Sequence, residues 1–209
     1  MINKNNGEKK LLSRAIISVS DKEGLEPLLN TLKKYHVELI SSGGTAGYIE
    51  DLGYPVIDVT NYTGYPEMPG GLVKTLHPKI YGGIMGDVNK SDQFKYMIKH
   101  GIKKINLVVV NFYPFEKVIS ERIVEIKRSA DYIDIGGPAL VRASAKAALL
   151  NGSVSTLIKS TQYPVFIREL NKNRGNISPD FNKRLALEAF KYTESYDKKI
   201  KEHFEYNLK

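Results

Sequence analysis

Between Arg14 and Val59 the chain switches repeatedly between two periodicities, and this alternation restricts its fold more than any other feature. Arg14–Val19 holds the continuous apolar run Ala15-Ile16-Ile17, the pattern of a strand covered on both faces. Leu25, Leu28, Leu29 and Leu32 then recur at helical spacing and define one core-facing stripe. Ser20-Asp21 precedes that stripe and is expected to cap the helix. Val37–Ile40 reads as a second strand and Ser41–Thr45 as a turn. A helix is expected from there to about Leu52, stopped by Gly53. Tyr54–Val59 reads as a third strand. Strands alternating with helices over short links predict a parallel sheet with right-handed crossovers.

The rhythm breaks from Thr60 to about Lys79, where Gly64, Pro66, Pro69, Gly70, Gly71 and Pro78 crowd together. An aperiodic stretch of this length inside an ordered chain points to a functional loop. A helix is expected near Asp92–His100, followed by the strongest strand, Ile105–Asn111. Pro114–Tyr132 reads as irregular with a short helical segment. Gly136–Leu150 reads as a helix whose Ala139, Ala143, Ser144, Ala147 and Ala148 permit close packing. Val154–Ile158 is the last expected strand. Gln162–Asn171 and Ser178–Phe204 are helical in pattern. The expectation is one α/β domain over residues 14–209 with a C-terminal helical extension, preceded by a flexible polar N-terminus, residues 1–13.

Composition removes several classes of function. The chain has no cysteine, so thiol catalysis, disulfides and cysteine metal sites are excluded. Four histidines without a His-x-x-x-His pair or a paired acidic run argue against a metal site. No apolar run approaches the roughly 18 residues that span a bilayer, and no secretory h-region follows Lys9-Lys10-Leu11-Leu12. A soluble, cytoplasmic protein is expected. The net charge of +8 fits an anionic ligand, but the positive residues are scattered and do not alternate with aromatics as in single-strand binders. Nucleic acid is not an expected partner.

Side chains suited to proton transfer or anion binding gather beside Gly or Pro in three polar stretches: Val73–Pro78, Asn111–Phe115 and Ile133–Pro138. They contribute Lys74, His77, Tyr113 and Asp134, with Lys146 further on. Ser18-Val19-Ser20-Asp21-Lys22 and Ser42-Gly43-Gly44-Thr45 each follow a strand and open a helix. Backbone N–H groups, hydroxyls and an ammonium at strand ends suit a phosphate. Neither loop is a Walker or dinucleotide fingerprint, so ATP and NAD are not indicated. Plainer readings stand beside these: Ser and Thr as helix caps, His77 bonded to backbone, Tyr113 at the rim of the core, Asp134 as a cap and Lys146 as a solvated lysine.

The motifs resemble those of the IMP cyclohydrolase domain, the N-terminal half of the bifunctional purine-biosynthesis enzyme that also carries AICAR transformylase. The resemblance runs from about Arg14 to Phe204. It includes Ser18–Gly24, Ser42–Ala46, Thr63–Met68, Val73–Pro78, Asn111–Phe115, Ile133–Gly137 and Arg142–Lys146. It implies a methylglyoxal-synthase-like fold, a five-stranded and mainly parallel sheet flanked by helices. It also implies ring closure of 5-formamidoimidazole-4-carboxamide ribotide (FAICAR) to IMP with loss of water, without cofactor or metal, in a homodimer. Lys74, Tyr113, Asp134 and Lys146 would be the catalytic set. Asp134 would take or relay the carboxamide proton with Lys74 as its charged partner, and Lys146 and Tyr113 would hold the formyl oxygen. Ser18, Ser20, Lys22, Ser42, Gly43, Gly44 and Thr45 would bind the phosphate end. Thr75, Asn111, Ile135 and Gly136 complete the substrate-binding set.

Leu72 stands two residues before Lys74, where the family pattern has Arg, which removes one charged contact. The chain ends where the transformylase half would begin, so transformylase activity is not expected of it. Two alternatives share the fold. A regulatory nucleotide-binding module, like that of carbamoyl-phosphate synthetase, would need the phosphate cradles without the catalytic set. Methylglyoxal synthase would need its own Asp/His arrangement.

Overall fold

A computed structural model describes residues 12–113, 115 and 126–208. Five strands form one sheet: β1 (Arg14–Val19), β2 (Glu38–Ser41), β3 (Ile57–Asp58), β4 (Leu107–Asn111) and β5 (Ser155–Leu157). Their order is β3-β2-β1-β4-β5, and every neighbouring pair is parallel. The order reverses at β1, with β2 on one side and β4 on the other. A crevice at the strands' C-terminal ends is therefore expected between the loops that follow β1 and β4.

Successive side chains along the strands feed two cores. Ile16, Ile40, Val108 and Val110 face one cluster. Ala15, Ile17, Leu39, Leu107 and Val109 face the other. This two-sided burial explains why the strands read as continuous apolar runs. The first cluster is closed by α4 (Pro78–Met85), α7 (Gly136–Asn151) and α9 (Pro179–Asn207). The second is closed by α1 (Leu25–Lys34), α2 (Gly43–Asp51) and α8 (Tyr163–Lys172). The leucine stripe of α1 is fully buried, as its spacing predicts. The small residues of α7 let α9 lie close along it. Ala186 and Ala189 are completely covered there, so the C-terminal extension is part of the core. α5 (Ser91–Lys99) and α6 (Ile126–Asp131) complete the longer helices.

Four local expectations change. α1 begins at Leu25 with Gly24 at its N-cap, not at Ser20-Asp21. The Ser20 and Asp21 amides donate instead to the Asn111 side-chain oxygen, at 2.6 and 3.0 Å, which holds the chain in a loop for another turn. β3 is two residues long because Asp58 caps a short helix, α3 (Val59–Thr63), by accepting the Thr60 N–H at 2.7 Å. α2 starts at Gly43, inside the expected turn. α4 was not expected at all: Pro78 occupies its first turn and the His77 ring nitrogen Nδ1 accepts the Lys79 N–H at 3.1 Å. His77 is thus a helix cap, the plainer of its two readings.

The expected flexible N-terminus lies largely outside the described residues. Leu12, however, is buried, and its amide donates to the Gly175 carbonyl at 3.0 Å. Pro114 and residues 116–125 of the expected irregular stretch also lie outside them.

Candidate active site

The crevice at the switch point is a cleft of about 460 Å³. Its lining brings together Ser18 from the end of β1, Leu72, Lys74 and Thr75 from the long loop, and Tyr113 from beyond β4. Asp134, Ile135 and Gly136 contribute from the start of α7. Residues from three separate polar stretches of the sequence thus meet at one edge of the sheet. Another cleft, of about 390 Å³, opens at the opposite strand ends. Its one titratable lining residue, Lys104, has its ammonium bonded to the Ile84 and Gly86 carbonyls at 2.7 and 2.9 Å. The candidate site residues lie at the first cleft.

The start of α7 lines that cleft, whereas Ser42, Gly43, Gly44 and Thr45 at the start of α2 lie outside its lining and are reached through Lys74. Gly43 opens α2 with φ +53°, and a Cβ built on it would lie 3.0 Å from the Lys74 ammonium nitrogen. Lys74 therefore points at the first turn of α2, whose N–H groups lack intrahelical acceptors. Two positive features aimed at one place suit an anion. Val73 reaches this geometry with φ +52°, a strained conformation for a β-branched residue. Across the cleft, a Cβ on Gly136 would lie 2.9 Å from the Thr75 hydroxyl, so the loop and the start of α7 touch.

The phosphate-cradle residues are used unequally. Ser42 is the N-cap residue of α2, yet its hydroxyl makes no capping bond. The Thr45 hydroxyl is committed to β1, donating to the Val19 carbonyl at 3.0 Å and accepting the Val19 N–H at 3.2 Å. Only its backbone can face a ligand. Asn111 is similarly committed: it accepts the Ser20 and Asp21 amides, and its own NH₂ donates to the Asp21 carbonyl at 2.7 Å. It ties the β1 and β4 loops together. The Lys22 ammonium lies 5.9 Å from the centre of the Tyr48 ring on α2, beside the same helix.

Asp134 stands at the mouth of α7, and one of its oxygens accepts the Gly137 N–H at 2.8 Å. Its other oxygen would lie 2.5 Å from a Cβ at Gly137, so only glycine admits the carboxylate here. The capping reading of Asp134 is therefore realised, and the residue still lines the cleft. Among the described residues no ion pair joins it to Lys74. Lys74 pairs instead with Glu67, at 3.2 Å. Glu67 was not among the expected site residues. Its signal was its place seven residues before Lys74 in the same Gly/Pro-rich loop. Tyr113 is half-exposed, with its ring 5.6 Å from that of Tyr132. Lys146 is exposed on α7 and does not line the cleft. Ten residues along the helix put it about 15 Å from Gly136.

Behind Asp134 lie three tyrosines, the partly buried Tyr81 and Tyr192 and the buried Tyr196. Burial first, and the Asp134 charge second, push the Tyr81 phenol well above its ordinary value of 10.0. Its hydroxyl is buried without a hydrogen-bond partner among the described residues. A phenol raised in the folded state contributes stability that is complete below pH 10 and is lost as pH rises further. Tyr81→Phe is therefore expected to stabilise the fold by about 1 kcal/mol at neutral pH, by removing an unpaired buried group. It should also flatten the loss of stability above about pH 10. Urea unfolding at pH 8 and pH 10.5 checks both, and a variant destabilised at pH 8 would show that the hydroxyl is paired.

A parallel α/β sheet with a cleft at its switch point places the chain in the doubly wound class. Residues 24–139 match the MGS-like domain family, and the chain belongs to that family. Residues 147–209 match the AICARFT/IMPCHase bienzyme family, which ties the C-terminal part to purine biosynthesis. Among solved structures the chain is similar to one described as the crystal structure of ForH, with TM-score 0.81 and 28% identity, covering 92% of this chain and 98% of that one. Among the described residues no helix is long and apolar enough to cross a membrane, and no group of three or more His, Cys, Asp or Glu could hold a metal ion.

Proposed function

We propose that this chain is an IMP cyclohydrolase, closing the ring of FAICAR to give IMP and water. The observation that carries the reading is the single cleft in which Lys74, Tyr113 and Asp134 converge between the starts of α2 and α7. Both family matches agree with it.

In the reaction the substrate's carboxamide nitrogen bonds to its own formyl carbon. The carboxamide nitrogen gives up one proton and the formamido nitrogen the other, and both leave with the formyl oxygen as water. Nucleophile and electrophile belong to one molecule, so positioning supplies much of the rate. The protein must hold the reactive rotamer, accept a proton and stabilise charge on the formyl oxygen. In this proposal the phosphate lies against the first turn of α2, near Lys74, Ser42 and Lys22. Asp134 takes or relays the carboxamide proton through the oxygen that does not cap Gly137. Tyr113, on the opposite loop, donates to the formyl oxygen, and the free amides that open α7 add to its stabilisation. Glu67 pairs with the Lys74 ammonium beside the cleft. The resemblance also implies a part for Lys146. From its position on α7, that part would require the substrate or a second chain to reach beyond the lining of this cleft.

Incubating the purified protein with FAICAR and following IMP formation tests the proposal. Turnover above the uncatalysed rate, unchanged by EDTA, is the expected result. Tight IMP binding without turnover would replace the enzyme with a regulatory nucleotide-binding module.

A further inference from the structure

We propose that α9 is a brace for the catalytic loops, and that Tyr192 and Tyr196 are positioning residues for Tyr113 and Asp134. The inference rests on the ring-closing function proposed above and gives that site a second tier of residues from the far end of the chain.

The phenol oxygen of Tyr196 accepts the N–H of Asp134 itself, at 2.8 Å. The phenol oxygen of Tyr192 accepts the N–H of Phe112, the residue before Tyr113, at 3.2 Å. Both amides fall just outside regular structure. Phe112 follows the last residue of β4, and Asp134 lies two residues before the first residue of α7. Among the described residues neither amide has a backbone acceptor, and the tyrosines supply one.

The ring of Phe112 is gripped as well. It stacks on Tyr192 with centres 4.4 Å apart and meets Tyr196 edge-on at 4.9 Å. Farther along α9, the His203 ring nitrogen Nε2 lies 2.9 Å from the Ser129 hydroxyl on α6, the helix leading into the Asp134 loop. Positions 192, 196 and 203 are spaced by four and seven, so they form one stripe on the helix. That stripe contacts each described segment that leads into the Tyr113 and Asp134 loops.

Packing alone does not account for the hydroxyls. Phenylalanine would fill the same space and make the same ring contacts, but it would leave both loop amides without acceptors. The location of the brace also matters. Lys74, Tyr113 and Asp134 lie within the MGS-like match, residues 24–139, whereas α9 lies within the AICARFT/IMPCHase match, residues 147–209. The portion of the chain beyond the MGS-like unit thus reaches back to hold the two loops on which the proposed chemistry depends.

The test uses Tyr196→Phe, Tyr192→Phe and the double variant in the full chain. Calorimetry with IMP gives affinity and the number of sites, turnover of FAICAR gives kcat and KM, and amide hydrogen exchange reports the loops. For Tyr196→Phe, full site occupancy and near-normal IMP affinity are expected, with kcat lowered roughly tenfold or more, as loosened catalytic geometry requires. Exchange should quicken at 112–113 and 134–137 and stay unchanged in β1 and α1. The kcat loss should largely disappear when Tyr196→Phe is added to Asp134→Asn, because the two act through one group.

Unchanged exchange in the loops would overturn the brace, and so would quickened exchange with normal kcat. If Tyr196→Phe fails to fold, Tyr192→Phe decides on the same readouts. If the wild-type protein makes no IMP, the ring-closing function falls. The exchange experiment then decides the brace by itself, since it needs no turnover.

Discussion

Asp134→Asn is expected to lower kcat by about 10²- to 10⁴-fold, the usual contribution of a proton-transfer group. Affinity for IMP and resistance to urea should stay close to those of the parent protein. The structure makes this substitution unusually informative because Asp134 has two separable tasks. One oxygen accepts the Gly137 N–H at the mouth of α7. Asparagine caps about as well as aspartate, so that task survives. The second oxygen, packed over Gly137, is the one the substitution converts from a base to a neutral amide. If Asp134 were a cap and nothing more, the variant would turn over normally. A stable Asp134→Asn protein with near-parental kcat would therefore remove Asp134 from the chemistry and leave it a structural residue.

The parts of the fold legible in the sequence are those set by local periodicity and two-sided burial. Ala15-Ile16-Ile17 and Leu107–Val110 announce strands because both faces of the sheet are covered. The leucines of α1 announce a helix because their spacing matches one buried stripe. α4 was hidden because Pro78, Gly82 and Gly83 resemble a continuing loop. Gly83 is small for a tertiary reason: a Cβ there would come within 2.6 Å of the Lys103 carbonyl. The start of α1 was misplaced because the competing acceptor, Asn111, lies 91 residues from Ser20.

The same split runs through the site. Lys74, Tyr113 and Asp134 could be chosen from residue type beside Gly or Pro, and one cleft gathers them. The partnership of Lys74 with Glu67, rather than Asp134, depends on how one loop folds on itself. Tyr192 and Tyr196 gave no local signal. They sit among the charged residues of a long helix, and their partners are 80 and 62 residues away.

Lys74→Ala is expected to be the other severe substitution, and to act on binding and turnover together. The Lys74 ammonium lies against Gly43 at the start of α2 and also lines the cleft that holds Asp134. Loss of a charge-assisted contact costs about 1.5–3 kcal/mol, so IMP affinity should fall by roughly one to two decades. Removing a positive charge beside the developing negative charge should cost turnover a further 10²-fold or so. Together kcat/KM should fall by about three decades or more. The loss should not come from unfolding, because Lys74 is partly exposed and its pair with Glu67 contributes little to stability, about 1 kcal/mol or less. Glu67→Gln separates the two groups: it keeps the ammonium in the cleft and is expected to change kcat/KM by less than about tenfold. Calorimetry with IMP and steady-state kinetics with FAICAR on both variants decide the matter. Reduced affinity with normal kcat in Lys74→Ala would make Lys74 a phosphate anchor alone, and equal losses in the two variants would show that the ion pair, not the ammonium, is what the site requires.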